Sequence, residues 1–144
     1  MAFILRGFMR TFYMDEESRE ITTEFSLQNT FTSSWYGFYM RQASLESVEA
    51  ITDCEVVLIS YNALQKLYAT SFGMNVMGRK VLENACIQRD IRVKNMISLA
   101  ASDRYQWFVK EFGDVYKGAQ LQHIASFLGI KPETLSRIRR KIIS

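Results

Sequence analysis

Histidine occurs once, proline once and cysteine twice in these 144 residues, and no Gly/Ser-rich tract interrupts them. A catalytic triad or a multi-histidine metal cage needs partners that His123 lacks, so a surface or core role is expected for it. Cys54 and Cys86 are far apart and match no C-x-x-C spacing, which excludes a zinc ribbon or a four-thiolate iron–sulfur site within one chain. Both are expected to be small buried residues. No catalytic residue, metal ligand or cofactor is assigned, and the chain is not read as an enzyme. Long hydrophobic runs are missing too: Met1-Ala2-Phe3-Ile4-Leu5 meets Arg6 before a signal-peptide core or a membrane span could form. The expected location is cytoplasmic, with no membrane partner.

What is present is enough for a packed core. Apolar residues make up 48% of the chain, too many for a disordered segment, and the length suits one ordinary domain or two small ones. Net charge is only +3, but it is unevenly placed. From position 131 onward Lys131, Arg137, Arg139, Arg140 and Lys141 stand against Glu133, a balance of +4 that leaves −1 on the first 130 residues. A neutral body with a cationic tip suits a polyanionic partner, because Lys and Arg that displace phosphate counterions supply most of non-specific nucleic-acid affinity.

Residues 2 to 60 are rich in aromatic and β-branched types and read as strands at 2–14, 20–26, 47–51 and 55–60. Asp15-Glu16-Glu17-Ser18 makes a polar turn between apolar runs, and Thr52-Asp53 breaks the alternation of Val48 and Ala50 with Cys54, Val56 and Leu58. Between them, 29–44 mixes Trp35, Tyr36, Phe38 and Tyr39 with small polar residues, as in a loop or a short helix packed on a sheet. Those four aromatics suit a core, or the lining of a pocket. Ser60 suits the N-cap of a short helix carrying Ala63, Leu64, Leu67 and Tyr68. From Met74 to Ala101, Met77, Val81 and Ala85, then Leu82, Cys86, Arg89, Val93, Met96 and Ala100, recur at three- and four-residue steps without proline. One long helix with apolar residues on more than one face is expected, suited to packing on the body and pairing with a second copy of itself.

Ser102-Asp103 reads as the cap of a further helix bearing Tyr105, Phe108, Val109 and Phe112, ending near Gly113. The segment from Gln120 to Ile142 then meets the spacing demands of a helix-turn-helix. Ala125 is small where two helices cross, and Gly129, four residues on, suits the left-handed position that ends the first of them. Ile124, Leu128, Ile130, Leu135 and Ile138 supply the shared core. Pro132 fits the first turn of the second helix, where a missing N–H costs nothing, and Glu133 favours that positive end. Glu133, Thr134, Ser136, Arg137, Arg140 and Lys141 are left facing outward. An Arg can pair bidentately with guanine, a Glu can accept from cytosine, and Ser, Thr and Lys can hold phosphates, so double-stranded DNA is the expected partner.

These residues resemble the bacterial transcription regulators of the Crp/Fnr type. The strongest pieces are Ile124-Ala125-Ser126-Phe127-Leu128-Gly129-Ile130 and Pro132 to Lys141, with support from Phe3-Ile4-Leu5-Arg6-Gly7 and Glu55 to Ser60. The resemblance implies an α+β chain: a partial, jelly-roll-like β-roll sensor over 1–73, a long dimerisation helix over 74–101 and a helix-turn-helix domain over 102–144. It implies a homodimer on a near-palindromic operator, Glu133 and Arg137 as base readers, Arg139, Arg140 and Lys141 as phosphate contacts, and RNA polymerase as a further partner. Pro132 replaces a polar DNA-contacting residue of the family. The resemblance also implies a β-roll short of several N-terminal strands, and a chain that stops before the wing which follows the recognition helix.

In the family's cyclic-nucleotide cassette a Gly-Glu pair opens the phosphate loop and an Arg-Ser pair closes it. Here Ser33-Ser34 and Ser44-Leu45 occupy those positions, with Arg41 nearby. Without the glycine, the acidic ribose partner and the closing arginine, cyclic AMP is not the expected effector. Ser33, Ser34, Trp35, Arg41 and Ser44 remain the expected lining of a pocket for an unidentified small molecule. Two other classes stand beside the regulator: a degenerate regulator fragment acting as a protein-interaction module without specific DNA binding, and a cupin-type enzyme, which a single histidine opposes.

Overall fold

The computed structural model describes residues 1–143, so that Ser144, the last residue of the expected 102–144 domain, lies outside the described residues. Strands β1 (Ala2–Arg6), β2 (Met9–Met14), β3 (Glu20–Ser26) and β4 (Phe31–Thr32) lead to a short helix α1 (Trp35–Met40), then β5 (Ser47–Ala50) and β6 (Glu55–Leu58). Helices follow: α2 (Tyr61–Thr70), α3 (Phe72–Ser98), α4 (Ala101–Glu111), α5 (Gly113–Gly118), α6 (Leu121–Phe127) and α7 (Pro132–Ile143).

Every strand pairing is antiparallel, and the strands form two sheets, with orders β4-β1-β6 and β3-β2-β5. The single strand expected over 2–14 is therefore two strands in different sheets. Gly7 makes the break. It sits at φ 86°, and a Cβ there would lie 2.5 Å from the Asp53 carbonyl oxygen, so the chain can turn from one sheet into the other only with glycine at this point. The polar turn after β2 has a local cause: Asp15 Oδ1 accepts from the backbone N–H groups of Glu17 and Arg19, both at 2.9 Å.

The segment 29–44 yields the two-residue strand β4 and the helix α1, whose N-cap Ser34 accepts from Gly37 N–H at 3.4 Å. Ser60 caps α2 as expected, accepting from Ala63 N–H at 3.2 Å. The long helix runs over Phe72–Ser98 rather than 74–101. Extended backbone at Leu99 and Ala100 stops it, and α4 starts directly after them, ahead of the Ser102-Asp103 cap read from sequence. α4 closes at Glu111, and a further short helix, α5, follows from Gly113. No helix among the described residues is long and apolar enough to cross a membrane.

The main core joins the second sheet to the C-terminal helices. Phe25 of β3 is buried with Tyr105 and Phe108 of α4, Val115 of α5, Ile124, Ala125 and Phe127 of α6, Leu128, and Leu135 of α7. Phe25 meets the Phe127 ring edge-on at 5.1 Å and the Phe108 ring at 5.7 Å, geometries that aromatic quadrupoles favour. Ile4 of β1 and Leu64 of α2 are buried apolar side chains at the other end of the molecule. Cys54 is half-buried and Cys86 exposed, so the expectation of two buried thiols fails at Cys86, which faces outward from α3.

Candidate nucleic-acid interface

The geometry of α6 and α7 follows from a few residues of the connecting turn. Leu128 ends α6, and the next residue, Gly129, adopts φ 64°. Gly129 N–H donates to Ser126 O at 3.1 Å and Ile130 N–H donates to Ala125 O at 3.0 Å, the paired bonds of a Schellman motif. A Cβ on Gly129 would collide with the Met96 side chain, so the same glycine allows the turn to lie close against α3. Lys131 O then accepts from Leu135 N–H at 3.1 Å, starting α7, with Pro132 in its first turn where no donor is missed.

The buried face of the pair holds Ile124, Ala125, Leu128 and Leu135, with Ile130 and Ile138 packed against them, as the spacing predicted. On α7, Glu133, Arg137, Arg140 and Lys141 are exposed, while Thr134, Ser136 and Arg139 are half-buried. Helical spacing sets Glu133, Arg137 and Arg140 on one side, with Ser136 and Lys141 flanking it. Thr134 and Arg139 lie toward the edges of the buried face. The first turn of α7 carries an acidic residue and its last turn two basic ones, the arrangement that the helix dipole favours.

α6 is fastened to the second sheet. Thr22 N–H on β3 donates to Ser126 Oγ at 3.1 Å, and His123 Nε2 lies 3.3 Å from Glu20 Oε2. Behind Glu20 sits Arg10, a fully buried arginine of β2 whose Nε donates to Glu49 at 2.7 Å and whose guanidinium also pairs with Glu20. Burial, and next the Arg10 charge, holds the His123 imidazole below its ordinary value of 6.5, against the pull of Glu20 and Glu49. The hydrogen bond from Arg10 holds Glu20 below the usual carboxylate range. From α3, Arg92 Nη2 donates to Phe127 O at 3.0 Å while the guanidinium lies 4.6 Å over the Phe127 ring.

The expected pocket residues lie in several settings. Ser33 is buried, Ser34 is spent on the α1 cap, and Ser44 Oγ bonds the backbone of Glu46. Arg41 is exposed at φ 54° beyond α1, with its guanidinium 5.2 Å over the Tyr61 ring. Of the five, Trp35 alone lines the cavity of about 400 Å³ that opens between β3, α3 and α4. The other walls of that cavity, among them Gln88, Arg89, Arg92 and Trp107, were not anticipated. They come from helices whose local pattern reads as packing and surface. Among the described residues, no group of three or more His, Cys, Asp or Glu side chains could hold a metal ion.

Two antiparallel sheets, a 27-residue helix and a C-terminal helical unit packed back on the second sheet define an α+β, sensor-like architecture with a reading head. Solved structures place that architecture among the Crp/Fnr-type regulators, whose cyclic-nucleotide-binding-like fold this chain has. FixK2 from Bradyrhizobium japonicum superposes with a TM-score of 0.79 at 16% identity, over 98% of this chain and 73% of that one. A Crp/Fnr-family transcriptional regulator from Thermus thermophilus gives 0.76 at 16% identity, over 99% and 74%. A cyclic nucleotide-binding domain containing protein from Listeria monocytogenes gives 0.75 at 10% identity, over 99% and 72%. No family model and no curated protein matches the chain.

Proposed function

We propose that the protein is a homodimeric, sequence-specific DNA-binding transcription regulator of the Crp/Fnr type, without enzymatic activity and acting in the cytoplasm. The observation that carries this reading is the outward face of α7, where Glu133, Arg137, Arg140 and Lys141 stand exposed on a helix anchored by the fully buried Leu135. Glu133 and Arg137 are the base readers, Arg140 and Lys141 hold phosphates, and Thr134, Ser136 and Arg139 contact the backbone at the groove edge. RNA polymerase is the further macromolecular partner.

Pairing is assigned to α3. Leu82, Cys86, Val93 and Ile97 follow the four- and seven-residue steps of a coiled-coil seam, and Val93 and Ile97 are 54% and 82% exposed in the single chain. Two such helices side by side would carry two reading heads about one DNA turn apart. Cyclic AMP is not the effector in this reading, because Ser33, Ser34 and Ser44 replace the residues that would hold its ribose and phosphate.

Binding of a genomic-fragment library at two salt concentrations tests the proposal. Affinity should fall steeply as salt rises, and Arg137→Ala should lose sequence selection at a cost of about 1–3 kcal/mol. Salt-independent binding, or equal binding by Arg137→Ala and the wild type, would overturn it. The exposed apolar residues Leu45, Leu58 and Phe72 favour a second reading, a protein-interaction module without specific DNA binding. Stable self-association in light scattering with no footprint on any fragment would select that one.

A further inference from the structure

The cavity between β3, α3 and α4 contains a set of groups that packing alone does not explain. Arg92 is half-buried on α3, and its Nε is a buried donor with no partner among the described residues. One turn earlier Arg89 lines the same cavity, with no hydrogen bond or ion pair of its own among the described residues. Buried donors in folded proteins are nearly always satisfied, so an unmet guanidinium N–H beside a second unpaired guanidinium marks a place where an acceptor belongs. Facing them, Trp35, Trp107, Phe31 and Phe112 supply flat apolar walls. The volume of about 400 Å³ falls in the range of small-molecule sites, and the mixture of apolar walls with a few convergent polar groups is characteristic of them.

Charge narrows the class of ligand. Glu24 sits in the wall, accepting from Trp35 Nε1 at 3.3 Å, so the interior carries two cations against one carboxyl group. A single negative charge balances that set. Glu111 is exposed, on the solvent side. We propose that this cavity binds a small planar aromatic carboxylate, with its carboxylate held by Arg89 and Arg92 and its ring between Trp35 and Trp107. The site is separate from the cassette positions, since Ser33, Ser34 and Ser44 do not line it. Its walls come from a sheet strand, the long helix and the C-terminal unit together, so occupancy stabilises the arrangement in which those parts touch. Binding itself needs no DNA; control of DNA affinity by the ligand rests on the proposed regulator function.

Both tryptophans of the chain line the cavity, so their fluorescence reports on it directly. The full chain is titrated with benzoate, 2-naphthoate and phenylacetate, with 2-naphthalenemethanol as the uncharged control, and with cyclic AMP. Saturable quenching by at least one carboxylate is expected, with the uncharged control binding about tenfold or more weakly. Arg89→Gln, which removes an exposed side chain that bonds to nothing in the fold, should abolish that preference while leaving the melting temperature and the dimer mass unchanged. Absence of saturable quenching by every carboxylate overturns the proposal, as does equal carboxylate affinity in Arg89→Gln. Tighter binding of cyclic AMP than of any carboxylate overturns it too. Each of these outcomes is read without DNA, so a failure here and a failure of the regulator reading stay distinct.

Discussion

Thr22 on β3 donates its backbone N–H to Ser126 Oγ on α6 across 104 positions of chain, at 3.1 Å. β3 is an edge strand of its sheet, and this bond covers a donor that would otherwise stand open to another strand. The helix that leads into the reading head thus finishes the sheet.

Ser126→Ala removes that acceptor and leaves the Thr22 N–H unmet. A loss of about 1–2 kcal/mol in unfolding free energy is expected from chemical denaturation, with faster hydrogen exchange at Thr22 than at the rest of β3.

Acidification should loosen the same contact. Both His123 and Glu20 have their pKa values lowered by the fold, so the unfolded chain binds more protons than the native one as pH falls. The stability they contribute is present above the unfolded values and is lost downward, for His123 beginning below 6.5. Melting temperatures measured between about pH 8 and about pH 5 should therefore decline, and His123→Gln should flatten the upper part of that decline.

At Gly129 the positive φ sets the cost of any side chain. Gly129→Ala should destabilise by about 1 kcal/mol or more, and Gly129→Asn by less, because asparagine tolerates the left-handed region. Equal stability of all three proteins by calorimetry would contradict a left-handed turn at this position.

Glu24 offers the opposite sign. Burial pushes its carboxyl group above the usual range, so ionising it in the fold has a cost that grows as pH rises through the raised value. Glu24→Gln should raise the melting temperature at neutral pH, and the gain should shrink toward acidic pH.

Much of this was readable from the residues alone. The Ala125, Gly129 and Pro132 spacing located α6, its turn and α7, because each of those types answers a local backbone demand. The change from alternation to helical period at Ser60 did the same for α2. Gly7 was harder: a glycine inside an apolar run looks like a weak strand position until the close approach of Asp53 is known. Cys86 misled because a small thiol usually lies inside, whereas here it sits on an outward stripe of a helix. The cavity had no sequence signal, since Glu24, Arg89, Arg92 and Trp107 belong to elements that meet only after the chain has folded back on itself.

Phe25 is covered by Phe108 and Phe127, side chains that leave the ribosome long after the strand that bears Phe25. During synthesis β2 and β3 can pair early, yet one face of that hairpin stays bare until about a hundred further residues have been added. The waiting time is a window for chaperones and for misassembly, and synonymous codon changes that slow translation after β3 would lengthen it.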